Sequence, residues 1–296
     1  MPGPTIAVLG ALSEDNTIIM ESQPEEGETV FASSYRVQMG GKGANAAVAV
    51  HRLTRCNPEG SDISNTDPTR EDIQLRLVSA VGDDYLGKKL TDELKECGIN
   101  VDGVKVFPGE VTSTSTMLVE KNETTETDAK RIVLFPGAGN ALRPDDFLTK
   151  ESLGGDVAPN FLIAQLELPR DVIEQAIETA YREGIEVILN QAPARYIMRE
   201  YYHMIQHLIM SERGAKTLSK DETLDTLQDE IRWDNTVEYF HSLGVENVVI
   251  TLGERGAYYS RKGGDHASVE AETDCNVVDT SGAGCVFSLT NIIFSY

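Results

Sequence analysis

The sequence predicts an α/β protein built on a doubly wound, mostly parallel sheet with helices on both faces, accompanied by a small antiparallel β lid. Three observations carry that expectation. Short apolar runs alternate along the chain with amphipathic segments of helical period, the pattern of parallel strands joined by crossover helices. Two segments rich in Thr, Ser and Val interrupt the alternation and read as a second, smaller sheet able to close over a site. The 296 residues can bury a full core, and one large α/β domain fits as well as two small ones.

The first buried strand is "TIAVLGAL" (5–12). A first lid segment follows at about 13–38, with "ETVFASSYRVQ" (28–38) as its clearest strand-forming run. "MGGKGANAAVAVHRL" (39–53) is a Gly-Gly turn opening an Ala-rich helix, whose small residues allow tight packing on whatever precedes it. The polar "NPEGSDISNTDPTRED" (57–72) reads as a surface insertion loop. After the strand "LRLVSAVG" (75–82), "DDYLGKKLTDELKECG" (83–98) places Leu86, Leu90 and Leu94 on one helical face. Asp83 or Asp84 is its N-cap and Gly98 its stop. The second lid segment, about 107–135, contains "STSTMLVEKNETTETDAKRIVLF" (113–135), two strands around a polar turn. "FLIAQLEL" (161–168), "IEVILN" (185–190), "HLIM" (207–210) and "ENVVITLG" (246–253) are the remaining buried strands. Between them, "DVIEQAIETAYREG" (171–184) aligns Val172, Ile173, Ala176, Ile177 and Ala180 and stops at Gly184. "NTVEYFHSLG" (235–244) supplies another crossover helix.

Acidic side chains number 48 against 26 basic ones, a formal net charge of −22. Such a field repels nucleic acid and anionic membrane, so neither is an expected partner. Cys56, Cys97, Cys275 and Cys285 form no C-x-x-C pair and read as reduced thiols. The N-terminal segment has no basic stretch ahead of its short apolar run, and no 18-residue apolar stretch follows. A cytoplasmic protein is expected, with the nucleus open as a second location.

In an open parallel sheet, ligands bind beyond the carboxyl ends of the strands. Ser13 and Asp15 follow the first strand, Glu167 and Asn190 end the third and fourth runs, and Gly253 and Gly256 follow the last. Each has a local alternative: Asp15 as a turn cap, Glu167 as a solvated edge residue, Asn190 as an Asx-turn. Their common location at strand ends argues for one site. Lys42 and Asn45, near the start of the Ala-rich helix, would face one bound ligand; the alternative is a tight turn followed by a buried Ala-rich helix.

"GGKGAN" early and "DTSGAGC" late, with "QLELP", "NQAPA" and "TLGERG" in order between them, resemble the ribokinase-like (PfkB-type) carbohydrate kinases. The resemblance covers essentially the whole chain and implies one kinase domain over 1–296. It implies that Ser13, Glu14, Asp15, Gly41, Lys42, Gly43, Ala44, Asn45 and Glu167 hold the sugar. It places ATP at Asn190 and at Thr251, Leu252, Gly253, Glu254, Arg255 and Gly256, with Gly284 also near the nucleotide. Gly282, Ala283 and Gly284 would form the turn whose N–H groups stabilise charge on the transferring phosphoryl group. Asp279 and Ser281 would belong to a site for a monovalent cation, K+, and Mg2+ would accompany the nucleotide. The implied reaction is ATP-dependent phosphorylation of D-ribose at O5, and the implied assembly is a homodimer through the lid.

The chain departs from the family pattern at the catalytic base, where Cys285 stands in place of Asp. A thiol of unperturbed pKa about 8.5 is mostly protonated at pH 7. The family's N-x-x-E element is Ser211-Glu212-Arg213-Gly214 here. The sequence also ends eleven residues after Cys285, where the resemblance implies further helices. The expectation is a sugar kinase of impaired turnover. A sugar- or nucleotide-binding pseudokinase and a kinase for another sugar or a nucleoside both remain open.

Overall fold

The computed structural model describes residues 3–55, 73–121, 129–218, 233–273 and 283. The insertion at 57–72 and the polar turn of the second lid segment lie outside the described residues. In chain order the elements begin with β1 (Thr5–Leu9), β2 (Ser13–Met20), β3 (Ser34–Gly40), α1 (Lys42–Arg55) and β4 (Gln74–Gly82). Then come α2 (Tyr85–Glu96), β5 (Asn100–Phe107), β6 (Ser113–Glu120), β7 (Ala129–Phe135), β8 (Phe161–Gln165) and α3 (Arg170–Arg182). They end with β9 (Glu186–Asn190), β10 (His207–Ser211), α4 (Glu212–Leu218), α5 (Asp234–Ser242), β11 (Asn247–Thr251), β12 (Ala257–Arg261) and β13 (His266–Val269).

Nine strands form one sheet in the order β13-β12-β11-β10-β9-β8-β1-β4-β5. Every pairing from β5 to β11 is parallel, and only β12 is reversed, pairing antiparallel with β11 and with the edge strand β13. Strand alternation sends Ile6, Val8, Ile163 and Ile188 to one face, where they pack on the alanines of α1 and on Leu90 and Leu94 of α2. Ala7, Leu9, Leu162, Ala164, Val187 and Leu189 point the other way, onto Val172, Ile173, Ala176 and Ile177 of α3 and Phe240 of α5. Helices therefore cover both faces, as the continuous apolar strands require. Asp84 is the N-cap of α2, its carboxylate accepting from the Gly87 N–H at 2.7 Å. Gly98 and Gly184 end their helices at φ values of 80° and 70°.

Three strands are shorter than the apolar runs suggested. β1 stops at Leu9, β8 at Gln165 and β11 at Thr251, and the remainder of each run forms a connection at the carboxyl end. These connections are where the polar candidates lie. Apolarity marks burial rather than strand, and Leu12, Leu166 and Leu168 are buried without being paired.

The four-stranded lid has the order β3-β2-β6-β7. Residues 28–33, expected as strand, precede β3, while Ser13–Met20 supplies a strand in their place. β2·β3 and β6·β7 are antiparallel, but the central β2·β6 pairing is parallel. The two outer pairs come from separate lid segments, so the long chain between them permits the parallel register. Among the described residues no helix is long and apolar enough to cross a membrane.

Candidate active site

The order of the large sheet reverses at its centre. From β1 the chain moves outward through β4 and β5, then returns to β8 on the other side of β1 and proceeds through β9, β10 and β11. The crevice outside the ends of β1 and β8 is the topological switch point, where backbone diverges and a ligand fits. Two connections fill its rim. One is the turn Gly10–Leu12 leading into the lid, and the other is the stretch Leu166–Leu168.

The start of α1 docks on the first of these turns backbone to backbone. A Cβ on Gly43 would lie 2.5 Å from the Gly10 carbonyl carbon, and one on Gly41, at φ +89°, would lie 2.4 Å from the Ala11 oxygen. The Ala44 N–H donates to that oxygen at 3.1 Å. Gly41 and Gly43 are thus glycines because the chain behind them leaves no room, and Ala44 beside them is fully buried. Lys42 and Asn45, half-buried on the exposed side of the first turn, form no side-chain hydrogen bond among the described residues.

Two carboxylates converge there. Asp15 Oδ1 accepts from the hydroxyls of Ser115 at 2.6 Å and buried Ser13 at 3.1 Å. Glu167 Oε2 accepts from the Lys42 N–H at 2.6 Å, satisfying a donor that the helix start leaves unpaired. Burial pushes the Glu167 carboxyl above its ordinary range. The positive charge and N–H of Lys42 oppose that push, and the nearby negative charge of Asp15 adds to it. The solvated-edge alternative for Glu167 does not hold. Glu14, expected on the sugar, points to the opposite face of β2 and pairs with Lys89 of α2 at 2.9 Å.

Asn190 is buried at the end of β9 and donates to Gln165 Oε1 at 3.3 Å. Gln165 in turn donates from Nε2 to the Lys42 carbonyl at 2.7 Å. Gln165 was not among the sequence candidates; a polar residue closing the buried run "FLIAQ" was the available signal. Farther along, Thr251 to Gly256 forms a tight loop in which the Leu252 N–H donates to the Gly256 carbonyl at 2.8 Å. Gly253 and Gly256 have positive φ, and a Cβ on Gly256 would strike the Val269 oxygen at 1.9 Å. Glu254 is exposed, and Arg255 reaches back to Glu212.

Ser211 and Glu212 have local roles. The Ser211 hydroxyl accepts from the Gly214 N–H at 3.2 Å, capping α4. Burial works against the Glu212 carboxylate, but Arg255 and Lys216 outweigh it and hold the group below its usual range. Among the described residues no cluster of three His, Cys, Asp or Glu is arranged to hold a metal ion. Asp279, Ser281, Gly282, Gly284 and Cys285 lie outside the described residues, and Ala283 is described only as an exposed helical residue. A cleft of about 540 Å³, bordered by Leu166 and Leu168 together with Asn140, Arg170, Asp171 and Arg195, opens on the α3 side of that connection and includes none of the sequence candidates.

Comparison with known proteins agrees with the fold. The family model described as "pfkB family carbohydrate kinase" matches residues 4–288. A ribokinase of Schizosaccharomyces pombe is 33% identical over 287 residues, covering 95% of this chain and 82% of the relative. A deoxyribokinase of Salmonella typhi is 28% identical over 284 residues, covering 95% and 82%. A ribokinase structure from Thermotoga maritima superposes with a TM-score of 0.73 at 26% identity, covering 96% of this chain and 83% of the other. An Arabidopsis thaliana ribokinase complexed with ribose and ATP has the same fold, with a TM-score of 0.77 at 24% identity and coverage of 100% and 86%. With its doubly wound sheet, its lid and its polar residues gathered at the switch point, the chain belongs to the pfkB family of carbohydrate kinases.

Proposed function

We propose that this carbohydrate kinase transfers the γ-phosphoryl group of ATP to O5 of D-ribose, giving ribose 5-phosphate and ADP. The observation that carries the reading is the convergence of Asp15 and Glu167 on the first turn of α1 at the switch point. Two carboxylates offer acceptors for sugar hydroxyls, and Lys42 and Asn45 offer donors. Relatives that are ribokinases, one of them solved with ribose and ATP, support the same substrates. In this reading Ser13, Asp15, Gly41, Lys42, Asn45 and Glu167 surround the sugar, while Glu14, Gly43 and Ala44 serve the packing around it. Asn190 and the 251–256 loop border the nucleotide. Gly282, Ala283 and Gly284 present N–H groups to the transferring phosphoryl group. Magnesium enters with ATP as its counter-ion. The K+ site is assigned to Asp279 and Ser281.

Proton removal is the weak step. Cys285 occupies the base position as a thiol that is mostly protonated at pH 7, so transfer is slow. That substitution favours a second reading, a pseudokinase that binds sugar and nucleotide without turnover. The deoxyribokinase relative favours a third, a deoxy sugar as substrate. One experiment separates them: ADP release measured with ribose, 2-deoxyribose and a nucleoside, alongside calorimetric binding of each. Slow release that depends on ribose supports the kinase reading. Binding without release selects the pseudokinase, and preference for deoxyribose or a nucleoside reassigns the substrate.

A homodimer through the lid is part of the proposal. On the lid face turned away from Asp15, register aligns Val37 with Val133 in one row and Tyr35 in the next. These side chains are 42%, 65% and 62% exposed. Sedimentation of wild type and Val133→Lys tests it; a monomeric wild type would remove the dimer.

A further inference from the structure

Gln165 ends β8 at the centre of the sheet and is fully buried. In the parallel pairing of β8 with β9 it stands opposite Asn190. Alternation carries both side chains to the face that holds α1, as it does Ile163 and Ile188 two residues earlier. The Gln165 amide uses both ends: Nε2 donates to the Lys42 carbonyl at 2.7 Å, and Oε1 accepts from Asn190 Nδ2 at 3.3 Å. The Lys42 backbone is thereby held through both flanking peptide groups, its N–H by Glu167 and its carbonyl by Gln165. Gln165, the joint of the chain Glu167–Lys42–Gln165–Asn190, is wholly shielded from solvent. A displacement of the first turn of α1 cannot occur without moving or breaking a hydrogen bond to Gln165, and Asn190 is the next group affected.

We propose that Gln165 is a positioning residue that couples the sugar side of the site, at Lys42, to the nucleotide side, at Asn190. The inference rests on the kinase reading above and adds a residue and a task to it. A residue that only satisfied buried polar groups would alter melting temperature. A coupling residue also alters how occupancy of one side changes affinity on the other, and that linkage is reciprocal.

The test measures ribose affinity of the full chain by calorimetry, with and without saturating ADP. In wild type, ADP should change the ribose Kd at least about fivefold, the low end of typical coupling between sites. Gln165→Met keeps the volume and removes both bonds, and the ratio should fall below about twofold. Should Gln165→Met not fold, Gln165→Glu at pH 8 keeps the acceptor for Asn190 and removes the donor to Lys42, and the same collapse is expected. Melting curves identify the folded variants. A folded variant that retains the wild-type ratio, or a wild type with no ratio to lose, overturns the inference and leaves the kinase reading standing. Failure of folded wild type to bind ribose or ADP overturns both together.

Discussion

Glu167 illustrates how far a single residue could be read. Its place after a buried run marked it, but its burial and its grip on the Lys42 N–H required the fold, because the partners are 125 residues apart. Its raised pKa has a defined consequence. The folded state favours the protonated carboxyl, so the stability it contributes is full below the ordinary carboxylate range and is lost as pH rises through the raised value. Glu167→Gln should therefore melt no lower than wild type at pH 8, since the amide oxygen still accepts from Lys42. Ribose binding should weaken about tenfold, the difference between a charge-assisted and a neutral hydrogen bond. Calorimetric melting and titration on one sample check both, and a large loss of stability would show that the charge itself holds α1. Cys285, by contrast, was legible from the motif alone and lies outside the described residues. Cys285→Asp should raise the ribose-dependent rate by about 10²–10⁴. The wild-type rate should climb between pH 7 and 9 as thiolate forms, whereas the variant's should stay flat. Equal rates for the two proteins would place the base elsewhere.

Six of the nine strands of the large sheet were legible, because their apolar runs are local. β5, β12 and β13, which mix exposed with buried residues, were not read, nor was the short helix α4. The lid was less legible still, because its strands alternate polar and apolar residues without a strong run. β2, "SEDNTIIM", carries Asp and Asn and reads as a turn until β3 and β6 flank it. The joint between lid and core could not be read at all. There Asp84 accepts from the Thr112 N–H at 2.8 Å and hydroxyl at 2.6 Å while capping α2, and the Gly82 N–H donates to the same hydroxyl at 3.0 Å. Burial pushes the Asp84 carboxyl up, but the bonds from Thr112 and Gly87 prevail and depress it. Its stabilisation is present above the unfolded-state value and is lost as pH falls through the folded one. Asp84→Ala should cost about 1–2 kcal/mol at pH 7 in urea denaturation, as loss of a helix cap does. The cost should shrink toward pH 3. A pH-independent cost would assign the effect to packing rather than to the carboxylate.

Across the whole molecule, 22 units of net negative charge act on the folded state. Screening by salt should relieve that repulsion, so melting temperature should rise as NaCl goes from about 10 to 300 mM, where the Debye length shortens from about 30 Å to below 8 Å. A fall would mean that ion pairs such as Lys89–Glu14 outweigh the net field. The reversal of strand order at β1 and β8 explains why scattered motifs from residue 13 to residue 190 describe one place. Sequence order revealed the motifs but not the crevice they share. The parallel seam between β2 and β6 has one more consequence, which concerns time. Within each lid segment the strands pair locally, but the seam joins residues about 100 apart, as Asp15 and Ser115 show. Such contacts form late, because a long stretch of chain must be ordered before they can close. In refolding, the helical signal should thus recover before ribose binding does. Because β1 and β8 pair across 155 residues, from Ile6 to Phe161, the chain would for an interval hold its helices without yet being a receptor.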